Sequence, residues 1–291
     1  MQGRLLSSPF WVLRFATRLT VGLLLGGFLS LLLVRCAPGF GVDERDLDPT
    51  LSESSHKAIH APADKSSMWS AYAGRVQAAM HGDLGYSESL NAPVSQLIAE
   101  RGWLTARSVA WGLALAWVLG LPLAVTSVLS RGSNVVLLPA STLLLCLPLG
   151  LVAIYFFLFG LPTIGVVAAG VAPKRFMYTR QLLIESERRP HVFGAVARGV
   201  GFWRLFCFHR AFPVLPELLS LFGVSITIAL GAAIPAEALC DSPGLGQLAW
   251  KASVARDTAP LLAITWLLTA IAFSANALSG SLDRAARTWR E

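Results

Sequence analysis

The sequence predicts an all-α integral membrane protein with six transmembrane helices. Two observations carry that prediction. Of its 291 residues, 54% are hydrophobic and only 14% are charged, whereas an ordinary soluble domain has about a quarter of its residues charged. The charges are also clustered, and the uncharged runs between them match the roughly 20 residues a helix needs to cross a bilayer.

In chain order, the first run is the 16 residues between Arg18 and Arg35, extended by arginines that can snorkel to the interface. Residues 108–130 supply the second span. The 42 uncharged residues from Gly132 to Pro173 hold the third and fourth, with a tight turn at "FGLPT" around Gly160 and Pro162. Residues 218–236 and 258–282 are the fifth and sixth. An even number of spans places both termini on one side. A signal peptide competes for the N-terminus, but no small-residue cleavage site follows the apolar run, and an anchor is expected.

The side follows from the positive-inside rule. Eight Lys/Arg face Glu185 and Glu187 in residues 174–210, against five Lys/Arg and nine Asp/Glu in residues 36–104. The first segment and both termini are therefore expected in the cytoplasm. The net charge of +7 then belongs to loops beside anionic lipid rather than to a nucleic-acid groove. Two regions result: an N-terminal anchor with an outward loop over residues 1–104, and a five-span core over 105–291 carrying a cytoplasmic loop at 174–212.

The outward segment begins polar and turn-rich, as loop. Further on, Trp69, Tyr72, Val76 and Met80 follow helical spacing, as do Val94, Leu97, Ile98 and Trp103, so two short interfacial helices are expected. Pro122, Pro148, Pro213, Pro216 and Pro235 punctuate the spans. They fit kinked helices lining a pathway, although each taken alone is better accounted for by the general abundance of proline in membrane helices. Cys36 and Cys240 would both face outward and could pair, whereas Cys146 within a span and Cys207 on the cytoplasmic side are not expected to.

Enzyme chemistry finds little support. The sequence has no HExxH, GxSxG or P-loop motif. His56 and His60 have i,i+4 spacing but no third ligand, and a solvated loop accounts for them, so no metal site is expected.

The stretch "GDLGYSESLNAPVSQLIAER" at 82–101 resembles ABC importer permeases of the dipeptide, oligopeptide and nickel type. The matching residues are Gly82, Asp83, Leu84, Gly85 and Ser87, then Pro93, Val94, Leu97, Ile98, Glu100 and Arg101. "SPGLGQLAWKASVARD" at 242–257 is similar to that family's Pro-Gly-Leu-Gly segment, here Pro243, Gly244, Leu245 and Gly246, with Glu237 at the family's acidic position. "RQLLIESERRPHVFGAVARG" at 180–199 is similar to the approach to its EAA loop. There Phe193 takes the place of the glutamate, Gly194 and Ala195 fill the small positions, and Gly199 follows six residues after Phe193. The sequence departs from the family in two further ways. The connection between spans three and four is short, and Lys174 and Arg175 stand where the fourth span is commonly apolar.

The resemblance implies a type I-like permease fold in a bacterial inner membrane. It implies a second permease subunit, two ATP-binding subunits that alone hold and hydrolyse ATP, and an extracytoplasmic solute-binding protein. Phe193, Gly194, Ala195, Ala197, Arg198, Gly199 and Gly201 would form the ATPase-coupling loop. Beyond them Phe202, Leu205, Phe206, Phe208 and Phe212 share one helical side, with Trp203, Arg204 and Arg210 towards the other. A basic amphipathic helix lying on the inner leaflet is the competing reading. His209 is expected as a packed, hydrogen-bonded histidine. Glu217 and Glu237 are pathway candidates because acidic groups near hydrocarbon are costly, and Gly82–Gly85 and Pro243–Gly246 would shape the outer loops. Two alternatives to transport remain, a degenerate homologue with a structural or regulatory role and an unrelated polytopic membrane enzyme.

Overall fold

The computed structural model describes residues 9–36 and 68–288. The expected loop at the start of the outward segment, with His56 and His60, lies outside them. Helix α1 spans Pro9–Cys36 and α2 spans Met68–Met80, and a two-residue antiparallel hairpin pairs β1 (Tyr86–Ser87) with β2 (Ala92–Pro93). Then follow α3 (Val94–Leu129), α4 (Arg131–Cys146), α5 (Leu149–Leu158), α6 (Thr163–Glu187), α7 (Pro190–Ala197) and α8 (Phe202–Arg204). A π-helical stretch, Leu205–Ala211, and a 3-10 turn, Phe212–Val214, run into α9 (Leu215–Leu239), followed by α10 (Leu245–Val254) and α11 (Thr258–Thr288).

Four helical stretches among the described residues are long and apolar enough to cross a bilayer: Leu13–Cys36, Val94–Leu129, Phe202–Leu239 and Thr258–Ser281. The pair α4 and α5 makes a fifth if taken together, bent by 93° at their junction. Pro148 causes the bend, since it cannot continue a helix and holds Leu147 extended at φ −71°, ψ 126°.

The 42-residue run therefore does not divide as expected. The turn at Gly160 is present, with φ +62°, but the helix after it does not stop at Pro173. It continues through Lys174 and Arg175 to Glu187, so the first third of the anticipated cytoplasmic loop is the second half of α6. Charge spacing hid this, because the helix buries Arg175 to 2% exposure instead of delivering it to water.

The centre of the bundle is the junction of α3, α6 and α9, where Val109, Leu113, Ala116, Val167, Val171, Ala229 and Ala233 are buried together. Glycines set how closely the helices approach, as in membrane bundles generally. A Cβ on Gly112 would stand 2.7 Å from Val167, and one on Gly223 would press into the Ala275 carbonyl and Ser279 of α11. Gly223→Leu is accordingly expected to cost about 1–3 kcal/mol by overpacking, read as a lower midpoint of thermal unfolding in detergent followed by tryptophan fluorescence.

Helix α1 packs on α11 through Gly22 and Gly26, one turn apart, against Phe273 and Thr269. The helix expected from the spacing of Trp69, Tyr72, Val76 and Met80 is present as α2, and it lies against α1: Tyr72 donates to the Leu24 carbonyl at 2.7 Å and Trp69 stacks on Phe28 at 4.4 Å. The second expected interfacial helix is instead the first turns of α3. Within those turns Arg101 donates to the Gln247 side-chain oxygen at 3.0 Å. Cys36 and Cys240 are unpaired, and the Cys240 thiol donates to the Ala153 carbonyl at 3.3 Å.

Candidate functional site

Two structures at opposite ends of α9 bring together the residues singled out in the sequence. At the Leu239 end, the two motif blocks form one clasp. Gly82 and Gly85 adopt φ +84° and +85°, a backbone that favours glycine. Asp83 accepts from the Gly85 amide at 2.8 Å, and the turn leads Leu84 into contact with Val94, Ala259 and Ala263.

The hairpin is then tied to the second block. Asp257 accepts from the Ser87 hydroxyl at 2.7 Å, from the Ser89 hydroxyl at 2.9 Å and from the Ser89 amide at 3.2 Å. Asp257→Ala leaves these donors without their acceptor, at about 1–3 kcal/mol for each that stays buried. Limited proteolysis should cut the 86–92 hairpin faster in that variant than in the wild type.

Glu237 sits beneath the clasp, 1% exposed. Its Oε2 accepts from the Thr105 hydroxyl and from the Gly246 amide, each at 2.9 Å. Thr105 Oγ1 in turn accepts from the Leu245 amide at 2.8 Å. One carboxylate and one hydroxyl thus satisfy two amides at the start of α10, where backbone donors have no partner within the helix. Gly244 and Gly246 make the approach possible, since a Cβ on the first would collide with the Glu237 carboxylate and on the second with the Ile234 backbone. Pro243 precedes this turn, and Leu245 packs with Leu97, Leu248 and Ile264.

At the other end of α9, α7 protrudes. Val192, Ala195 and Leu205 form its small core with Val200. The exposed positions of α7 include Phe193, Gly194, Val196 and Ala197, followed by Arg198 and Gly199. Ala195 is thus turned inward at 0% exposure rather than contributing to an outward small-residue face. Gly199 has φ +72° and ends the helix, while Cβ atoms placed on Gly194, Gly199 or Gly201 would meet nothing within 4 Å.

Two ion pairs brace this protrusion. Arg189 meets Glu217 at 3.1 Å and Arg210 meets Glu187 at 2.7 Å, and Ser186 donates to the Arg210 carbonyl at 2.9 Å. Glu217, considered for a pathway from sequence, therefore holds the start of α7 to α9.

The aromatic side expected over 202–212 does not form. Leu205 and Phe206 are buried, whereas Phe202, Phe208 and Phe212 are 54%, 67% and 67% exposed. The π-helix is the reason: a five-residue hydrogen-bond step rotates successive side chains away from a 3.6-residue stripe. His209 is half-buried. Its carbonyl accepts from the His191 ring, and its own Nδ1 has no partner among the described residues. The braces were not visible in the sequence, although Arg189, Arg210, Glu187 and Glu217 cluster there.

An all-helical bundle of long apolar helices, clasped at one end and bearing a braced protrusion at the other, is the build of a multi-pass membrane permease. The chain belongs to the family described as binding-protein-dependent transport system inner membrane component, whose model matches residues 110–288, and is thus an ABC importer permease subunit. It is 27% identical over 232 residues to a protein of Brucella suis biovar 1 named "Putative peptide permease protein", covering 69% of this chain and 73% of that one. A protein of the same description from Brucella ovis is 28% identical over the same shares.

Proposed function

We propose that the chain forms one half of the membrane channel of an ATP-driven importer for peptides or related small solutes in a bacterial inner membrane. It crosses six times, with α6 as the fourth span and the bent α4 and α5 together as the third, and both termini are cytoplasmic. The clasp faces outward and receives a solute-binding protein. The protrusion faces inward and docks on one of two ATP-hydrolysing subunits, and a second permease subunit completes the pathway. The peptide class rests on the names of the Brucella relatives.

The observation that carries this reading is the mechanical continuity of the protrusion with a span. The α7 face stands free, its base is gripped by two ion pairs, and the chain is helical from Phe202 to Leu239. A push on α7 therefore reaches α9, and Glu237 in the last turn of α9 holds the outer clasp. ATP-driven closure of the partner subunits would move both ends of one rigid element, as alternating access requires. Glu237 serves in this scheme as a latch rather than as a group touching solute.

Co-purification tests the reading. The chain expressed with a candidate ATPase and binding protein is expected to retain the ATPase and to change its turnover when the loaded binding protein is added. Retention without any change in turnover would instead favour a structural or regulatory subunit, the alternative that Phe193 at the glutamate position raises. Failure to retain the ATPase would overturn the importer reading.

A further inference from the structure

The proposed importer leaves one cluster unexplained, the cations halfway along α6. Arg175 packs beside Gly120 and lies 3.5 Å over the Trp117 ring in α3, and its Nη1 donates to Ser225 of α9 at 3.4 Å. Gly120 is next to the centre of the uncharged run 108–130, and Ser225 is close to the centre of the run 218–236. Both neighbours therefore place Arg175, and Lys174 beside it, near mid-membrane. Half of a core about 30 Å thick exceeds what a lysine can span by snorkelling.

Arg175 has no carboxylate partner among the described residues. Its Nε and Nη2, the Trp117 Nε1 and the Thr179 Oγ1 are all buried without hydrogen-bond partners there. Lys174 is exposed and likewise unpaired among the described residues. An exposed ammonium at this depth cannot rest against lipid without large cost, so its face of α6 belongs to water or protein.

That face is polar throughout. Lys174, Tyr178, Gln181, Glu185 and Arg188 recur at helical spacing and all are exposed. Above Lys174 the same face is closed, since Val167 packs on Gly112 and Gly170 meets Ala232 and Leu149. Exposed polar side chains thus run from the α7 end of the helix up to two uncompensated cations, and the face is packed just beyond them.

We propose that Lys174, reinforced by Arg175 behind it, is an anion site at the closed end of the solute pathway, where a carboxylate of the solute rests at mid-membrane. The proposal rests on the importer reading for the solute's presence, but its geometry stands apart from the ATPase. Lys174 sets selectivity by direct contact, and Arg175 supplies a second positive charge that low local polarity leaves poorly screened.

The test uses the full chain with its own cysteines removed, carrying Tyr178→Cys one turn from Lys174, in inside-out membrane vesicles. Anionic sulfonatoethyl methanethiosulfonate and its cationic trimethylammonioethyl counterpart are compared, with Gly201→Cys as the exposed reference. Reaction at position 178 should favour the anionic reagent by about tenfold relative to the reference. Adding Lys174→Gln should remove most of that preference while leaving the site reactive to both reagents. An unreactive Tyr178→Cys would mean that lipid or protein covers the face, and a preference unchanged by Lys174→Gln would mean that the lysine does not set it. Either result overturns the site. Loss of ATPase retention with the preference intact would overturn the importer reading alone.

Discussion

Glu237→Ala is expected to lower the unfolding free energy by about 3–5 kcal/mol, because it leaves the Thr105 hydroxyl and the Gly246 amide buried without their shared acceptor. Each orphaned donor costs about 1–3 kcal/mol, and the vacated side chain adds a cavity beneath Gly244. Glu237→Gln keeps one oxygen able to accept both bonds and should fall within about 1 kcal/mol of wild type. Equilibrium unfolding in mixed micelles gives the numbers. An alanine variant as stable as the glutamine variant would show that the carboxylate does not hold the clasp.

The same network makes a second, sharper demand. Thr105 donates to Glu237 and accepts from Leu245, so Thr105→Val and Glu237→Ala remove parts of one unit. Their costs should combine to clearly less than the sum, as for residues sharing a hydrogen-bond network. Strict additivity would mean that the two residues act independently, contrary to their 2.9 Å contact.

The clasp was legible in the sequence as two motifs but not as one object. Glycines at 82, 85, 244 and 246 announce backbone that must turn or approach closely, and here they do both. That Ser87 would find Asp257, 170 positions away, depends on how α3 and α11 pack, and no local pattern encodes it. Four of the expected spans were readable from apolar length alone, and a fifth as the bent pair α4 and α5. Their limits were not always, because a charge signals a membrane boundary only if it reaches water. Arg175 broke that rule by stacking on Trp117, and so the fourth helix was cut short at Pro173. The stripe expected over 202–212 failed for a different reason, since periodicity presumes 3.6 residues per turn and the chain there is π-helical.

Gly194→Glu is expected to abolish coupling to the ATPase while sparing the fold, and its neighbour supplies the control. The Gly194 position is helical and open, so a Cβ there meets nothing within 4 Å, and replacing glycine within a helix is intrinsically favourable by about 0.5–1 kcal/mol. Its effect is therefore confined to whatever docks on α7. A carboxylate forced unpaired into that interface should reduce solute-stimulated ATPase turnover at least about tenfold. Ala195→Glu, one residue on, should instead unfold the protrusion, since Ala195 is fully buried against Val192 and Leu205. Gly199 makes a poorer probe because its φ of +72° would strain any replacement. The two outcomes are separated by protease resistance of residues 190–205: intact in Gly194→Glu, lost in Ala195→Glu. Full ATPase stimulation in the first variant would remove α7 from the coupling path, and the push on α9 would then have to enter elsewhere along Phe202–Phe212.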